Sequence, residues 1–338
     1  MPEGHSVHRI ARQFALHFVG KRVTATSPQG RFADGAARID GRVMIDAKAV
    51  GKQMFLEFDN GLWLRVHLGM YGAWDFAGDF TADATVASAN GRMGQTNQRG
   101  TVLGPSTGSG TEPGSGTEPG SGTGAMSMGA PRVARLRMSE QEKIEADTDV
   151  FPPPPVGAVR VRLLTDNTVA DLRGPTACDV LTPDQVQAAI DKLGPDPLID
   201  SPKKGEERFV AAVRKSGTPI GLLLMDQSVV SGIGNVYRAE LLFRARLDPH
   251  TPGRNVPEET VRALWRDWTK LLKIGVQTGQ MLTMDGLSKA KYAAALANRE
   301  DRHWVYHRTG EPCRICGTPI VMEIAASRKL YFCPVDQV

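Results

Sequence analysis

Cysteine is scarce in this chain: Cys178, Cys313, Cys316 and Cys333 are its only four among 338 residues. So few exclude a disulfide-built scaffold, and the Cys-x-x-Cys pair near one end points to metal instead. Long apolar runs are missing as well. None reaches the roughly 20 residues of a membrane span. No charged n-region leads into an apolar segment at the start, so no secretory signal is read and a cytoplasmic protein is expected. A strong net charge is also lacking, the formal value being +4. That excess is unevenly placed. Residues 186–338 hold 22 Lys and Arg against 17 Asp and Glu, whereas residues 1–185 hold 19 against 20. A weakly basic C-terminal half is compatible with a nucleic-acid partner without requiring one. Apolar residues make up 41% of the chain, enough for cores in the two or three domains its length allows.

The start, Met1-Pro2-Glu3-Gly4-His5, carries the most information. Removal of the initiator methionine leaves Pro2 with a free secondary amine. An α-amino group has a pKa of roughly 8, so a useful fraction is uncharged near neutrality and can attack an electrophilic carbon. Attack on a sugar C1′ gives an iminium ion, and Glu3 stands next in the chain to move protons. The plain alternative is an ordinary Met-Pro start with Glu3 on a solvated terminus.

Periodicity predicts a helix over residues 4–18, with Val7, Ile10, Ala11, Phe14 and Phe18 on one face. Strands are predicted at Arg22–Thr26, Val43–Ala49, Gln53–Phe58 and Trp63–Gly69, the last two joined by an Asp59-Asn60-Gly61 turn. Residues 157–173 read as further β structure, turning at Asn167-Thr168. Between these blocks, residues 108–123 repeat Gly-Ser-Gly-Thr-Glu-Pro. Such composition has little apolar surface to bury, and about 87–131 is read as a disordered insertion in a sheet-edge loop. From 183 the chain turns helical: Thr182-Pro183-Asp184 opens a helix that Gly194-Pro195 ends. Helices are expected at 203–215, 219–228, Val236–Phe243 and about 257–276, before a polar stretch and a closing β and cysteine segment.

Several short motifs carry possible chemistry. Gly232-Ile233-Gly234-Asn235 sets two glycines and an amide at a helix start, where outward N–H groups suit a phosphate; it reads equally as a tight turn with an N-cap. Lys52 follows Gly51 at the head of a strand. His67-Leu68-Gly69-Met70-Tyr71-Gly72 presents Met70 and Tyr71 on a Gly-flanked loop, either as a wedge for a base stack or as core. Cys313, Cys316 and Cys333 have the spacing of a zinc ribbon, with Asp336 at the fourth position. One zinc in a Cys3Asp set is expected, against the rival of a metal-free hairpin. Ser327-Arg328-Lys329 falls at the hairpin tip, where a guanidinium can meet a flipped nucleotide or its phosphate, or simply stay solvated.

Taken together, these motifs resemble the formamidopyrimidine-DNA glycosylase/endonuclease VIII family of bifunctional repair glycosylases. The matching stretches are Met1–His5, Gly51–Phe55, His67–Gly72, Asp226–Ser228, Gly232–Glu240 and Val305–Ile320. The Pro-Glu-Gly-His start is similar to the endonuclease VIII branch, especially its actinobacterial members. The resemblance implies an α+β multidomain fold. Residues 1–182 would form a catalytic β-sandwich with a leading helix. Residues 183–300 would form a helix–two-turn–helix DNA-binding domain, and residues 301–338 a zinc-finger-like hairpin.

It also implies roles. Pro2 would be the nucleophile, Glu3 the general acid/base, and Lys52 the strand lysine near sugar and phosphate. Asn235, with Gly232 and Gly234, would hold backbone phosphate. Arg328 would be the zinc-finger arginine, five residues before Cys333. Met70 and Tyr71 would fill the gap left by an extruded base. Asp336 stands where the family usually has a fourth cysteine. The implied partner is double-stranded DNA with damaged bases or abasic sites, met by a monomer that excises oxidised bases, pyrimidines favoured, and cuts by β,δ-elimination. Two alternatives remain: a non-catalytic or damage-sensing DNA-binding protein on the same scaffold, and a preference for oxidised purines.

Overall fold

A computed structural model of the chain describes residues 2–79, 123–130 and 151–338. Its first element, α1 (Gly4–His17), is wrapped on nearly every side. Val7, Ile10, Ala11 and Phe14 are buried on the face that the periodicity predicts. Phe14 packs its ring 4.7 Å from Trp74 and 5.2 Å from Phe76. The opposite face carries His5 and Arg9, also buried, because a second domain covers it. A helix buried on its polar face as well as on its apolar one joins two domains, leaving only a strip at Arg12, Ala15 and Leu16 exposed.

The strands follow as β1 (Arg22–Thr26), β2 (Arg42–Val50), β3 (Gln53–Phe58), β4 (Trp63–His67), β5 (Ala73–Asp79), β6 (Thr123–Gly129), β7 (Val159–Leu164), β8 (Thr168–Arg173) and β9 (Ala177–Leu181). A short helix, α2 (Ala33–Ile39), lies between β1 and β2. Among the described residues these nine strands run in the order β6-β5-β8-β7-β1-β2-β3-β4-β9, every neighbour antiparallel. The first residues of β1 pair with β2, Arg22 opposite Val43, and its last three pair with β7, Thr24 opposite Leu164. A strand that changes partner halfway turns the corner of a sandwich. One core accordingly takes Met54, Leu56, Leu64 and Val66 from one wing and Trp74, Phe76, Val161, Leu163 and Leu172 from the other.

The expected strands are present, with shifted ends. The stretch 157–173 is two strands hinged at Thr165, whose hydroxyl accepts from Thr168 N–H at 3.1 Å. One expectation needs correction: the insertion read as 87–131 includes β6. Thr123–Gly129 pairs with β5 along its whole length, from Asp79 opposite Thr123 to Ala73 opposite Gly129, and Met128 is 2% exposed. Gly- and Ser-rich composition hid this strand, because β5 supplies the hydrogen-bonding edge and the core receives Met128. The remainder of that predicted insertion, 87–122 and 131, lies outside the described residues. Since β5 and β6 already pair at their joined ends, a shorter connection can span them, and loop-closure cost changes slowly with length. Replacing 106–122 by a short linker should move the melting temperature by only about 2 °C. Thermal melts of the two proteins check this.

The helical domain contains α3 (Pro183–Asp191), α4 (Pro202–Arg214), α5 (Ile220–Leu223), α6 (Asn235–Arg244), α7 (Glu258–Thr278) and α8 (Lys289–Ala297). Thr182 and Gln185 cap α3 reciprocally, as Thr-Pro-Asp predicts. The helix expected over 219–228 is shorter. It stops at Leu223 because Asp226 turns the chain, its carboxylate accepting from Ser228 N–H at 2.8 Å. Phe209, Tyr237, Leu241, Trp265 and Trp268 fill this domain's core. Two last strands, β10 (Val321–Ala325) and β11 (Arg328–Phe332), form a separate hairpin. Glu240, on α6, ties the hairpin domain down. Its fully buried carboxylate accepts from the Trp304, Val305 and Tyr306 N–H groups at 2.7–2.9 Å, and burial pushes its pKa up. No helix among the described residues is long and apolar enough to cross a membrane.

Candidate active site

The turn Ser231–Gly234 lies where the two large domains meet. Gly4 N–H donates to the Gly232 carbonyl at 2.9 Å, and Gly51 packs against Ser231 and Gly232. A side chain at Gly4 would place its Cβ 2.9 Å from the Gly232 Cα, so this approach of backbone to backbone requires glycine. Asp196 locks the same seam from beneath. Its Oδ2 accepts from Gly51 N–H at 2.6 Å and lies 2.8 Å from His8 Nε2. Gln227 holds the turn itself, accepting from Gly232 N–H at 3.1 Å and donating to Ile233 O at 3.1 Å.

Into this seam comes Glu3, with no measurable exposure. Its Oε2 accepts from Gly234 N–H at 2.8 Å and its Oε1 from Val236 N–H at 2.9 Å. The positive end of α6 therefore faces the chain's own carboxylate. This revises the phosphate cradle expected of Gly232 and Gly234: their N–H groups are already engaged, by Gln227 and Glu3 respectively. Asn235 also differs from expectation. Its Nδ2 donates to the Lys329 carbonyl at 2.7 Å, reaching across to the hairpin.

Lys52 enters from the β2–β3 turn and donates from Nζ to Ile233 O at 2.5 Å, one residue before Glu3's partner Gly234. Burial lowers its pKa to about 8; Glu3 opposes that shift, while Arg328 and Arg238 add to it. His67, at the end of β4, is likewise lowered by burial and by Lys52. Pro2 is buried immediately before Glu3. Arg328 occupies the hairpin tip, after Ala326 and Ser327 with φ of 48° and 63°, and its Nη1 lies 3.3 Å from Met70 Sδ. Met70 and Tyr71 are 45% and 57% exposed, which removes the core alternative for both. Glu3 and Lys52 thus meet at one turn, with Pro2 beside Glu3 in sequence; Asn235, directly after the turn, reaches the hairpin whose tip sets Arg328 against Met70. The sequence reading assigned no role to Gln227, Asp196 or Arg238. Gln227 and Arg238 lie within motif stretches, but only their contacts reveal what they do.

At the far end of the hairpin, the Sγ atoms of Cys313, Cys316 and Cys333 and an Asp336 oxygen all lie within 4.8 Å of one another. Asp336 Oδ2 is 3.0 Å from Cys313 Sγ, and the Cys316 and Cys333 sulfurs are 3.5 Å apart. Tetrahedral zinc, with Zn–S near 2.3 Å and Zn–O near 2.0 Å, sets its ligand atoms roughly 3.5–4 Å apart; the sulfur pair already has that spacing and the Asp336–Cys313 contact reaches it by a small side-chain shift, so these residues fit one structural zinc. Ile315 and Asp336 N–H groups point at the Cys313 and Cys333 sulfurs, as suits thiolates. About one zinc per chain is expected, removed by chelator more readily than from a four-cysteine site, and Asp336→Cys should slow its loss. Elemental analysis and chelator-competition kinetics measure both.

Comparison with known proteins agrees with this geometry. Residues 1–99 match the formamidopyrimidine-DNA glycosylase N-terminal domain, 193–285 its H2TH domain, and 310–338 the zinc finger found in FPG and IleRS. Endonuclease 8 1 of Mycobacterium tuberculosis is 35% identical over 339 residues, covering 100% of both chains. A formamidopyrimidine-DNA glycosylase of Thermus thermophilus is 37% identical over 146 residues, 43% of this chain and 54% of its own length. The fold is shared with a Lactococcus lactis Fpg in complex with DNA containing an abasic site, at a TM-score of 0.65 and 18% identity, 99% of each chain being covered. The MutM (FPG) protein of Thermus thermophilus superposes with a TM-score of 0.62 at 22% identity, over 99% of this chain and 98% of its own. The chain belongs to the formamidopyrimidine-DNA glycosylase/endonuclease VIII family, the DNA glycosylases and AP lyases of base excision repair.

Proposed function

We propose that this protein excises oxidised bases from double-stranded DNA, pyrimidines ahead of purines, and cuts the strand at the resulting site through a Schiff base on Pro2. Once Met1 is removed, the Pro2 nitrogen attacks C1′ of the extruded nucleotide. The N-glycosidic bond breaks, and the base leaves with the bonding electrons and takes up a proton. Loss of the single N–H proton from the former amine, with opening of the sugar ring, leaves an iminium ion. That cation acidifies the C2′ proton, whose removal expels the 3′ phosphate; a second elimination expels the 5′ phosphate. Glu3 serves as the acid and base for these transfers, and Lys52 supplies positive charge or a proton near the sugar. Met70 and Tyr71 occupy the space left in the duplex, and Arg328 meets the flipped nucleotide or its phosphate from the hairpin.

The observation that carries this reading is the buried Glu3 carboxylate, held by the start of α6 beside a desolvated lysine. The pyrimidine preference rests on the Pro-Glu-Gly-His start and on the full-length likeness to Endonuclease 8 1. Borohydride trapping across duplexes with oxidised pyrimidines, oxidised purines or an abasic site tests both. A covalent adduct with the abasic duplex, and faster cleavage of the pyrimidine lesions, is expected. Absence of any adduct would leave a non-catalytic DNA-binding protein.

Lys52 makes a pH prediction. With its pKa near 8, the ammonium form dominates at pH 7 and is lost as pH rises through about 8. Cleavage that uses this charge should fall on the alkaline side from there. Lys52→Arg keeps the charge and should carry the remaining activity to higher pH. Single-turnover rates between pH 6 and 10 show whether the alkaline limb moves.

A further inference from the structure

Arg238 lies on α6, one turn after Asn235, and has no measurable exposure. Its three acceptors are all neutral. Nη2 donates to the Asn235 amide oxygen at 2.5 Å and to the Lys329 carbonyl at 2.9 Å, and Nη1 donates to the Gly221 carbonyl at 3.4 Å. Among the described residues no carboxylate lies in an ion pair with it, and burial lowers its pKa to about 10. Burying a guanidinium without a carboxylate in contact is costly, and an apolar side chain would fill the same space at less cost. What the charge provides is direction. The Lys329 carbonyl receives both Arg238 and Asn235, and it belongs to the residue next to Arg328.

The hairpin meets the rest of the protein at further points: Leu330 is buried, and Glu323, its partner across the hairpin, lies 2.8 Å from His250 Nε2. Its tip is a two-residue turn at Ala326-Ser327, with Ala325 paired to Arg328. The metal ligands stand at the opposite end, where Cys333 follows β11. The cysteine cluster lies at the base of the hairpin, while near its tip the Lys329 carbonyl, one residue from Arg328, is held by Asn235 and Arg238. Asn235 is the second donor to that carbonyl, and its amide is the group to which the family resemblance assigned a backbone phosphate. If Nδ2 turns to a phosphate, Arg238 still holds the carbonyl.

From this we infer that Arg238 is a positioning residue for catalysis: it fixes the hairpin tip through the Lys329 carbonyl and so aims Arg328 at the DNA. The inference rests on the proposed action of Arg328 on DNA. Arg238 itself touches no substrate.

A double-mutant cycle tests it, with Arg328→Ala, Arg238→Met and the pair compared with the parent protein. Base excision is read under single turnover on a lesion duplex, with thermal melts alongside. Arg328→Ala should cost about tenfold to a hundredfold, the range for losing a charge-assisted hydrogen bond. Arg238→Met should cost a similar factor in the parent and less than about twofold in the Arg328→Ala background, since residues that act as a unit are not additive. Hydrogen exchange should also rise in residues 326–332 of Arg238→Met while β1–β4 stay protected. Equal losses in both backgrounds would overturn the positioning role and leave a general effect on the fold. Native activity in Arg328→Ala would instead remove the reading of Arg328 on which the inference depends. If Arg238→Met does not fold, Arg238→Lys, which keeps the charge and one donor, enters the same cycle with the same two readings.

Discussion

Glu3→Gln should abolish base excision while leaving affinity for a lesion duplex within about threefold. A general acid/base contributes about 10²–10⁴ in rate, so the loss should fall in that range. The structure sharpens the expectation. Both carboxylate oxygens accept from backbone N–H groups at the start of α6, Oε2 from Gly234 just before it and Oε1 from Val236. Glutamine can offer one acceptor oxygen, but its NH2 must then face an N–H donor. The variant therefore loses both the titratable proton and half of its anchorage. Borohydride trapping on a preformed abasic site should survive better than excision of a base, because attack there needs no departing base to be protonated. Single-turnover excision and trapping, run on the same preparation, separate the two steps. Excision at the native rate would show that Glu3 is a structural cap and nothing more.

Gly234→Ala should act nearly as strongly, from the other side of the same contact. An added Cβ at Gly234 would lie 2.4 Å from Glu3 Cδ and 2.7 Å from Oε1. In a solvated site the carboxylate would swing away at little cost, but Glu3 is fully buried and bonded. The alanine must either expel the carboxylate or shift the start of α6. Either outcome leaves N–H donors unsatisfied, which costs about 1–3 kcal/mol each. The expected result is a drop in thermal stability together with at least about a hundredfold loss of excision. Combined with Glu3→Gln, the alanine should add little to the catalytic loss, because both changes remove one interaction. Thermal melts and excision rates for the two single variants and the pair give the answer.

How much of this was legible beforehand depended on whether a feature is local. The helix at the start, the hairpin strands and the capping of α3 follow from spacing, caps and turn chemistry within a few residues, and they stand with ends shifted slightly. β6 did not show itself, because its Gly, Ala and Ser residues are strand-forming only when an edge such as β5 is offered. The helix expected over 219–228 failed for a similar reason: Asp226 makes a local turn that the apolar run Gly221–Met225 does not reveal. At the site, the reactive residues were readable as motifs, but their partners were not. Glu3 meets Gly234, and Asn235 meets Lys329, across long stretches of chain that no periodicity spans. A helix start bearing glycines looked open to phosphate; what closes it is a carboxylate more than two hundred residues away in sequence.

That separation has a bearing on how the protein is made. Glu3 precedes the α6 start by some 230 residues, and Arg328 lies further along still. A nascent chain whose helical domain has not yet formed holds the Glu3 carboxylate without the N–H groups that orient it. Truncated products and ribosome-stalled fragments should be silent toward DNA. On the mechanism proposed above, competence to break a strand appears only after the helical domain has docked and brought Gly234 against Glu3. For a protein that cuts the genome it repairs, the chain's topology then acts as a safeguard built into the order of synthesis.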